Sequence, residues 1–204
     1  MLLPSIGAHG QRRLLAAHAL VVGAGALGCT ALDQLARAGV GRITIIDRDI
    51  VERTNLQRQT LFDESDAAAS LPKALAARNR LTRLNASIRI DAIVADVTPQ
   101  NAEQHHATVR PDIILDGTDN LDTRYLLNDL AVKHALPLVY AGVIATRGMQ
   151  FTILPGAACL RCVLPQPSAA AHVEPCDTVG LLGPAGAMTA SLQAAEALRI
   201  LGAD

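Results

Sequence analysis

The stretch VVGAGALG, residues 21–28, constrains the fold more than any other part of the chain. Its glycines fall at Gly23, Gly25 and Gly28, the spacing G-x-G-x-x-G. A short apolar run, 19–22, leads in, and a helix-period stretch near 27–38 leads out. A strand that turns so tightly into a helix needs glycine, and the free N–H groups at the helix start then face an anion. The same spacing also suits a strand-to-helix turn with no ligand. The loop alone does not separate a dinucleotide from ATP.

Downstream, apolar strand-like runs alternate with helical patterns. Strands are expected at 19–22, 42–47, 87–94, 112–116, 137–143 and 149–154. Helices are expected near 27–38, 72–84, 99–109, 120–134 and 184–201. This alternation predicts an α/β fold whose mostly parallel sheet carries helices on both faces. The last two strands lie close together in sequence, which predicts an antiparallel edge. Segments 48–71 and 155–183 show no period, and long loops inside a compact domain are usually functional or mobile.

With 204 residues, half of them hydrophobic, the chain can bury one sizeable core, so a single domain over 1–204 is expected. The net charge of −1 offers no basic excess for nucleic acid or an anionic membrane. With no Trp, two Tyr and two Phe, a base-stacking platform is not expected. No apolar run reaches membrane-spanning length. The opening MLLPSIGAHGQRR breaks at Pro4 and Gly7 and places its charges after the apolar part, the reverse of a secretory signal. Four cysteines, two of them in a C-x-x-C, read as metal or redox chemistry in a reducing compartment, the cytoplasm.

Ligands of open α/β sheets sit beyond the carboxyl ends of the strands. Three such ends carry polar signals here. Asp47 closes the second strand about twenty residues past the glycine loop, where a carboxylate accepts hydrogen bonds from ribose hydroxyls; it can equally cap a turn. Next comes VERTNLQRQT, 51–60, with Asn55, Arg58 and Gln59. Arg58 on the nucleotide side of the sheet can fork onto phosphate oxygens, although alone it reads as a solvated charge. Lys73 opens a helix, where the dipole favours an anion; a bound phosphate would relieve that mismatch, and an exposed helix-start lysine is the alternative. In ILDGTDN, 114–120, either Asp116 or Asp119 can hold Mg²⁺, and Asp119 can instead cap the helix beginning near Asn120.

Together these residues resemble the ThiF/MoeB/HesA family, relatives of ubiquitin-activating enzymes. The matching stretches are LLPSIGAHGQRRL, VVGAGALG, AGVGRITIIDRDIVERTNLQRQTLF, LPK, LDGTDNLDTRYLLND, CLRC and SLQAAEALRILG, in family order from end to end. The resemblance implies a Rossmann-like fold that binds ATP and adenylates the C-terminal carboxylate of a ubiquitin-like sulfur-carrier protein ending in Gly-Gly. It implies that Gly23, Gly25, Ala26 and Gly28 cradle the nucleotide, that Asp47 takes the ribose, and that Asn55, Arg58, Gln59 and Lys73 serve the phosphates. Asp119, with Asn120 beside it, would support Mg²⁺. Many relatives carry glycine where this chain has Ala26, which leaves the backbone N–H in place. A homodimer is also implied.

Cys159 and Cys162 form a C-x-x-C read as lying in a loop, half of a tetrahedral Zn²⁺ site. The family pairs it with a second C-x-x-C, which does not occur before Asp204. Zinc is then absent, shared with another chain, or completed by His172 and Cys176. A redox pair is disfavoured because the motif is not expected to open a helix after a strand. Cys176, in EPCDTVG, matches the family's reactive loop cysteine, or is a loop cysteine without a role. Cys29 reads as a small core residue. An arginine-bearing arm before LLP and the last family strands are missing from the given residues, so a short member is expected. A peptide- or tRNA-activating enzyme and a non-catalytic nucleotide-binding module are the competing readings. Arg58, Lys73 and Asp119 argue against a nicotinamide dehydrogenase.

Overall fold

The computed structural model describes Leu3 and residues 6–164 and 180–202. Six strands form one sheet: β1 (His18–Val22), β2 (Arg42–Ile46), β3 (Arg89–Ile93), β4 (Ile113–Asp116), β5 (Leu138–Ile144) and β6 (Arg147–Ile153). Their order across the sheet is β3-β2-β1-β4-β5-β6. All neighbours run parallel except β5 and β6, which pair antiparallel at the edge as the sequence spacing predicts. The helices are α1 (Gly7–Ala16), α2 (Ala26–Ala38), α3 (Glu64–Ala68), α4 (Lys73–Leu84), α5 (Ala102–Val109), α6 (Leu121–Lys133), α7 (Leu160–Val163) and α8 (Gly183–Gly202).

Strand β1 shows why the apolar runs are unbroken. Side chains alternate across a strand, so Ala19 and Val21 point into a core layer with α1, α2, α4 and α8, while Leu20 and Val22 point into one with α5 and α6. A strand covered on both faces has no polar positions to alternate with. Helix α8 lies close against α2 and the sheet because its inward stripe is mostly small: Ala185, Gly186, Thr189, Ala190, Ala194 and Ala197. Among the described residues no helix is long and apolar enough to cross a membrane.

Three local expectations are corrected. Residues 7–16 form α1 despite Pro4 and Gly7, because Leu14 is buried against α8 and tertiary packing outweighs the weak local signal. The aperiodic segment 48–71 contains a 3₁₀ turn at Arg53–Asn55 and the helix α3, which Asp63 caps by accepting from the Ser65 and Asp66 N–H groups. The C-x-x-C does not lie in an open loop: Cys159 is the N-cap of the single turn α7.

Candidate nucleotide site

Strands β2 and β3 build out from one side of β1 and β4 from the other. The strand order therefore reverses between the parallel neighbours β1 and β4, and a crevice opens beyond their carboxyl ends. A cavity of about 990 Å³ lies there. Its walls combine Gly23, Gly25 and Ala26 of the loop, Asp47 and Asp49 after β2, the Asn55–Gln59 segment, Lys73 at the start of α4, and Gly117–Asn120 after β4.

The glycine spacing has a steric cause at two positions. Gly23 has φ +92°, and a Cβ there would stand 2.6 Å from the Gly117 carbonyl oxygen. A Cβ on Gly28 would collide with the Gly23 carbonyl. Gly28 does not line the cavity, so its place in the motif comes from packing α2 under the loop; Gly23, Gly25 and Ala26 do line it.

Asp47 is buried and binds the loop to β2. Its Oδ2 accepts from the Ala24 N–H at 2.6 Å and its Oδ1 from the Asp49 N–H at 2.8 Å. Burial raises its pKa, opposed by those two N–H groups and by Lys73. Each oxygen keeps a further lone pair, so the carboxylate can still accept from hydroxyls. Asn55 sits buried in the 3₁₀ turn, and its backbone carbonyl accepts from both Arg58 and Gln59 N–H groups at 3.0 Å. Arg58 lines the cavity from a half-buried position, with Nη1 donating to the Thr54 carbonyl at 3.0 Å. Gln59 is 4% exposed and its Oε1 has no hydrogen-bond partner. A buried amide oxygen left so is costly, and a donor supplied by a ligand would satisfy it.

Lys73 is not the exposed helix-start lysine of the alternative reading. It is 7% exposed, and its Nζ donates to Asp49 Oδ2 at 2.9 Å. Asp49 thus relieves the clash with the helix dipole that the sequence assigns to a phosphate. The two aspartates after β4 separate sharply. Asp116 is fully buried, and its Oδ1 accepts from the Thr118 N–H and hydroxyl at 2.9 and 2.7 Å. Asp119 is exposed on the cavity wall. Asp119 does not cap α6 either: Asn120 does, with its Oδ1 accepting from the Thr123 N–H at 2.8 Å.

Sequence reasoning missed the support beneath this turn. Arg124 is buried, donates through Nη2 to the Thr118 carbonyl at 2.8 Å, and packs 5.4 Å from the Tyr140 ring centre. Gln193 of α8 donates through Nε2 to both the Asp116 and Val139 carbonyls at 2.8 Å, joining β4 to β5. Burial raises the pKa of Asp116 and the charge of Arg124 opposes it. Arg124 carried a readable signal: like Lys73, it is a cation in the first turns of a helix.

The sulfurs of Cys159 and Cys162 are 3.7 Å apart. Zn–S bonds of about 2.3 Å place two thiolates about 3.8 Å apart in a tetrahedron, so the pair fits half of a zinc site. Asn128 fixes it, accepting from the Leu160 N–H at 2.8 Å. Burial opposes ionisation of Cys159, but hydrogen bonds from the backbone of Cys162 and Arg161 pull its pKa below the ordinary value. The motif does open a helical turn after β6, which removes the stated objection to redox chemistry. His172 and Cys176 lie outside the described residues. Cys29 is fully buried, donates to the Ala24 carbonyl, and has its pKa pushed up to about 12 by burial. Brief iodoacetamide treatment is expected to label exposed Cys162 and to spare Cys29 until denaturant is added. Mass mapping reads this, and equal labelling of both overturns the burial of Cys29.

The sequence pattern of the ThiF family matches residues 1–204. This chain belongs to the ThiF family. The sulfur carrier protein ThiS adenylyltransferase of Bacillus subtilis is 41% identical to this ThiF-family chain over 203 residues, covering 98% of the chain and 59% of the relative. The chain thus spans about three fifths of that protein. The sulfur carrier protein adenylyltransferase of Thermus thermophilus is 40% identical over 208 residues, covering 98% of the chain and 75% of the relative. Crystalline E. coli MccB with ATP superposes with a TM-score of 0.82 at 24% identity, over 95% of the chain and 58% of MccB, a likeness of fold. The Rossmann-like fold expected from the family resemblance is therefore present.

Proposed function

We propose that this ThiF-family chain uses ATP to adenylate the C-terminal carboxylate of a ubiquitin-like sulfur-carrier protein ending in Gly-Gly. The observation that carries this reading is that Arg58, Lys73 and the glycine loop line one cavity. Such an arrangement meets a polyphosphate, and hydride transfer has no use for it. The names of the Bacillus and Thermus relatives support the carrier as acceptor.

In this reading the loop amides of Gly23, Gly25 and Ala26 face the phosphates, and Asp47 accepts from the ribose hydroxyls. The carrier carboxylate attacks the α-phosphorus, a P–O bond forms, and the bond to the β-phosphate oxygen breaks to release pyrophosphate. A carboxylate is already ionised at neutral pH, so no general base is needed. Catalysis is alignment and stabilisation of charge on the leaving group. Asn55, Arg58, Gln59 and Lys73 serve that charge. Asp119 is the carboxylate placed to hold Mg²⁺, because Asp116 is buried and already engaged. Mg²⁺, when bound, neutralises phosphate charge. Cys176 belongs to a later sulfur-transfer step, Cys159 and Cys162 to half of a Zn²⁺ site, and the working form is a cytoplasmic homodimer, which light scattering reads.

The test is exchange of labelled pyrophosphate into ATP. Exchange is expected only with the Gly-Gly carrier and Mg²⁺ both present, and Cys176→Ala should leave it intact. Exchange that ignores the carrier, or preferential binding of NAD, overturns the reading.

A further inference from the structure

A second cluster of ligand atoms lies outside the nucleotide cavity, where α5 meets the end of α6. Glu103 and His106 stand three residues apart on α5, so their side chains share one face. His134 follows directly on the last residue of α6, Lys133. His134 Nε2 lies 2.9 Å from Glu103 Oε2, and Lys133 Nζ lies 2.6 Å from Glu103 Oε1. The rings of His106 and His134 stack with centres 3.7 Å apart. One ligand atom from each of Glu103, His106 and His134 falls within 4.8 Å of the others. None of the three lines the nucleotide cavity.

We propose that Glu103, His106 and His134 bind a divalent transition-metal ion of the zinc class, with a fourth position open to water. Two imidazoles and one carboxylate select zinc, copper, nickel or cobalt over the hard ions magnesium and calcium. Bonds of about 2.0–2.2 Å require ligand atoms about 3.3 Å apart. His134 Nε2 and Glu103 Oε2 are 2.9 Å apart and all three ligand atoms lie within 4.8 Å, so closing the site takes a tilt of the two rings out of their stack to aim both lone pairs at one point. Both histidines are half-buried, which limits the side-chain freedom lost on binding. Lys133 holds Glu103 Oε1 and so presents Oε2 alone to the ion, as hydrogen-bonded neighbours of metal carboxylates do. The ion would take the place of the hydrogen between His134 Nε2 and Glu103 Oε2, with the neutral imidazole carrying its one proton on Nδ1. The ion would clip α5 to α6.

Calorimetric titration with Zn²⁺ alone tests this, in protein carrying Cys159→Ser and Cys162→Ser so that no thiolate of that pair competes. One equivalent is expected to bind with micromolar affinity, and His106→Gln or His134→Gln singly should weaken it at least about tenfold. Thermal melting without metal should be nearly the same in these surface variants, and Zn²⁺ should raise the midpoint only in the parent. Co²⁺ should give visible bands with no thiolate charge-transfer absorption. Absence of sub-millimolar binding in the parent, or binding that both histidine variants retain, overturns the proposal. Neither outcome bears on adenylation, which the exchange experiment reads separately.

Discussion

Lys73→Ala is expected to slow carrier-dependent pyrophosphate exchange by about 10²–10³-fold, and Arg58→Ala by a similar factor. Both residues line the cavity, and in the proposed reaction both cations would oppose charge that grows on the leaving pyrophosphate. The loss should be kinetic. Lys73 is paired with Asp49, but the Asp49 side chain is 53% exposed and has Arg48 beside it, and buried Asp47, which also feels the Lys73 charge, keeps its two N–H donors, so removing Lys73 leaves neither carboxylate without a partner. Urea denaturation of Lys73→Ala should therefore differ little from the parent. Wild-type exchange by either variant would sink the assignment of this cavity to ATP. A large stability loss in Lys73→Ala would make the kinetic result uninterpretable as electrostatics and would contradict the exposed setting of Asp49.

Arg124→Met should show the reverse pattern, a large loss of stability. Asp116 is fully buried, its Oδ2 has no hydrogen-bond partner, and Arg124 is the charge that favours its ionised form. Breaking a direct buried ion pair costs about 3–5 kcal/mol; Arg124 acts on Asp116 through its charge without a direct bond, and Thr118 still donates twice to Oδ1, so a loss at or below the low end of that range is expected. The pH dependence follows from the direction of the Asp116 shift. Burial already raises its pKa, and loss of Arg124 raises it further. A carboxyl raised in the folded state contributes its stability at acid pH, below the unfolded value of about 3.9, and loses it as pH rises through the folded value. The deficit of Arg124→Met should thus be greatest near neutrality and should shrink as the pH is lowered. Adding Asp116→Asn should recover part of it, because the stranded charge is then gone. A deficit independent of pH and unrelieved by Asp116→Asn would mean that Arg124 acts through its bond to the Thr118 carbonyl and its packing on Tyr140, and not through Asp116.

The two experiments separate groups that a linear reading treats alike. Asp116 and Asp119 lie in one heptapeptide, yet one is a buried structural carboxylate and the other faces the cavity. The reason is geometric: Asp116 is the last residue of β4, still inside the sheet and in register with Val22, whereas Asp119 has cleared the strand end. Neither composition nor spacing contains that distinction.

What the sequence by itself determined was everything written in short-range period and in a single steric requirement. Unbroken apolar runs such as 19–22 specify strands buried on both faces, and the helix period separates them. The glycines at 23, 25 and 28 specify a turn that only a residue without Cβ permits at Gly23 and Gly28. Asp47 was legible because its distance from that turn is set by one helix and one crossover. Only the tertiary structure decided which distant groups meet. It brought Asp49 onto Lys73 across 24 residues, Gln193 onto Asp116 across 77, and His134 onto Glu103 across 31. It also made α1 a helix, by supplying the apolar surface of α8 that its own residues could not signal. Period and sterics act between neighbours along the chain, whereas burial and charge pairing act between neighbours in space, and the second set exists only once the sheet has formed.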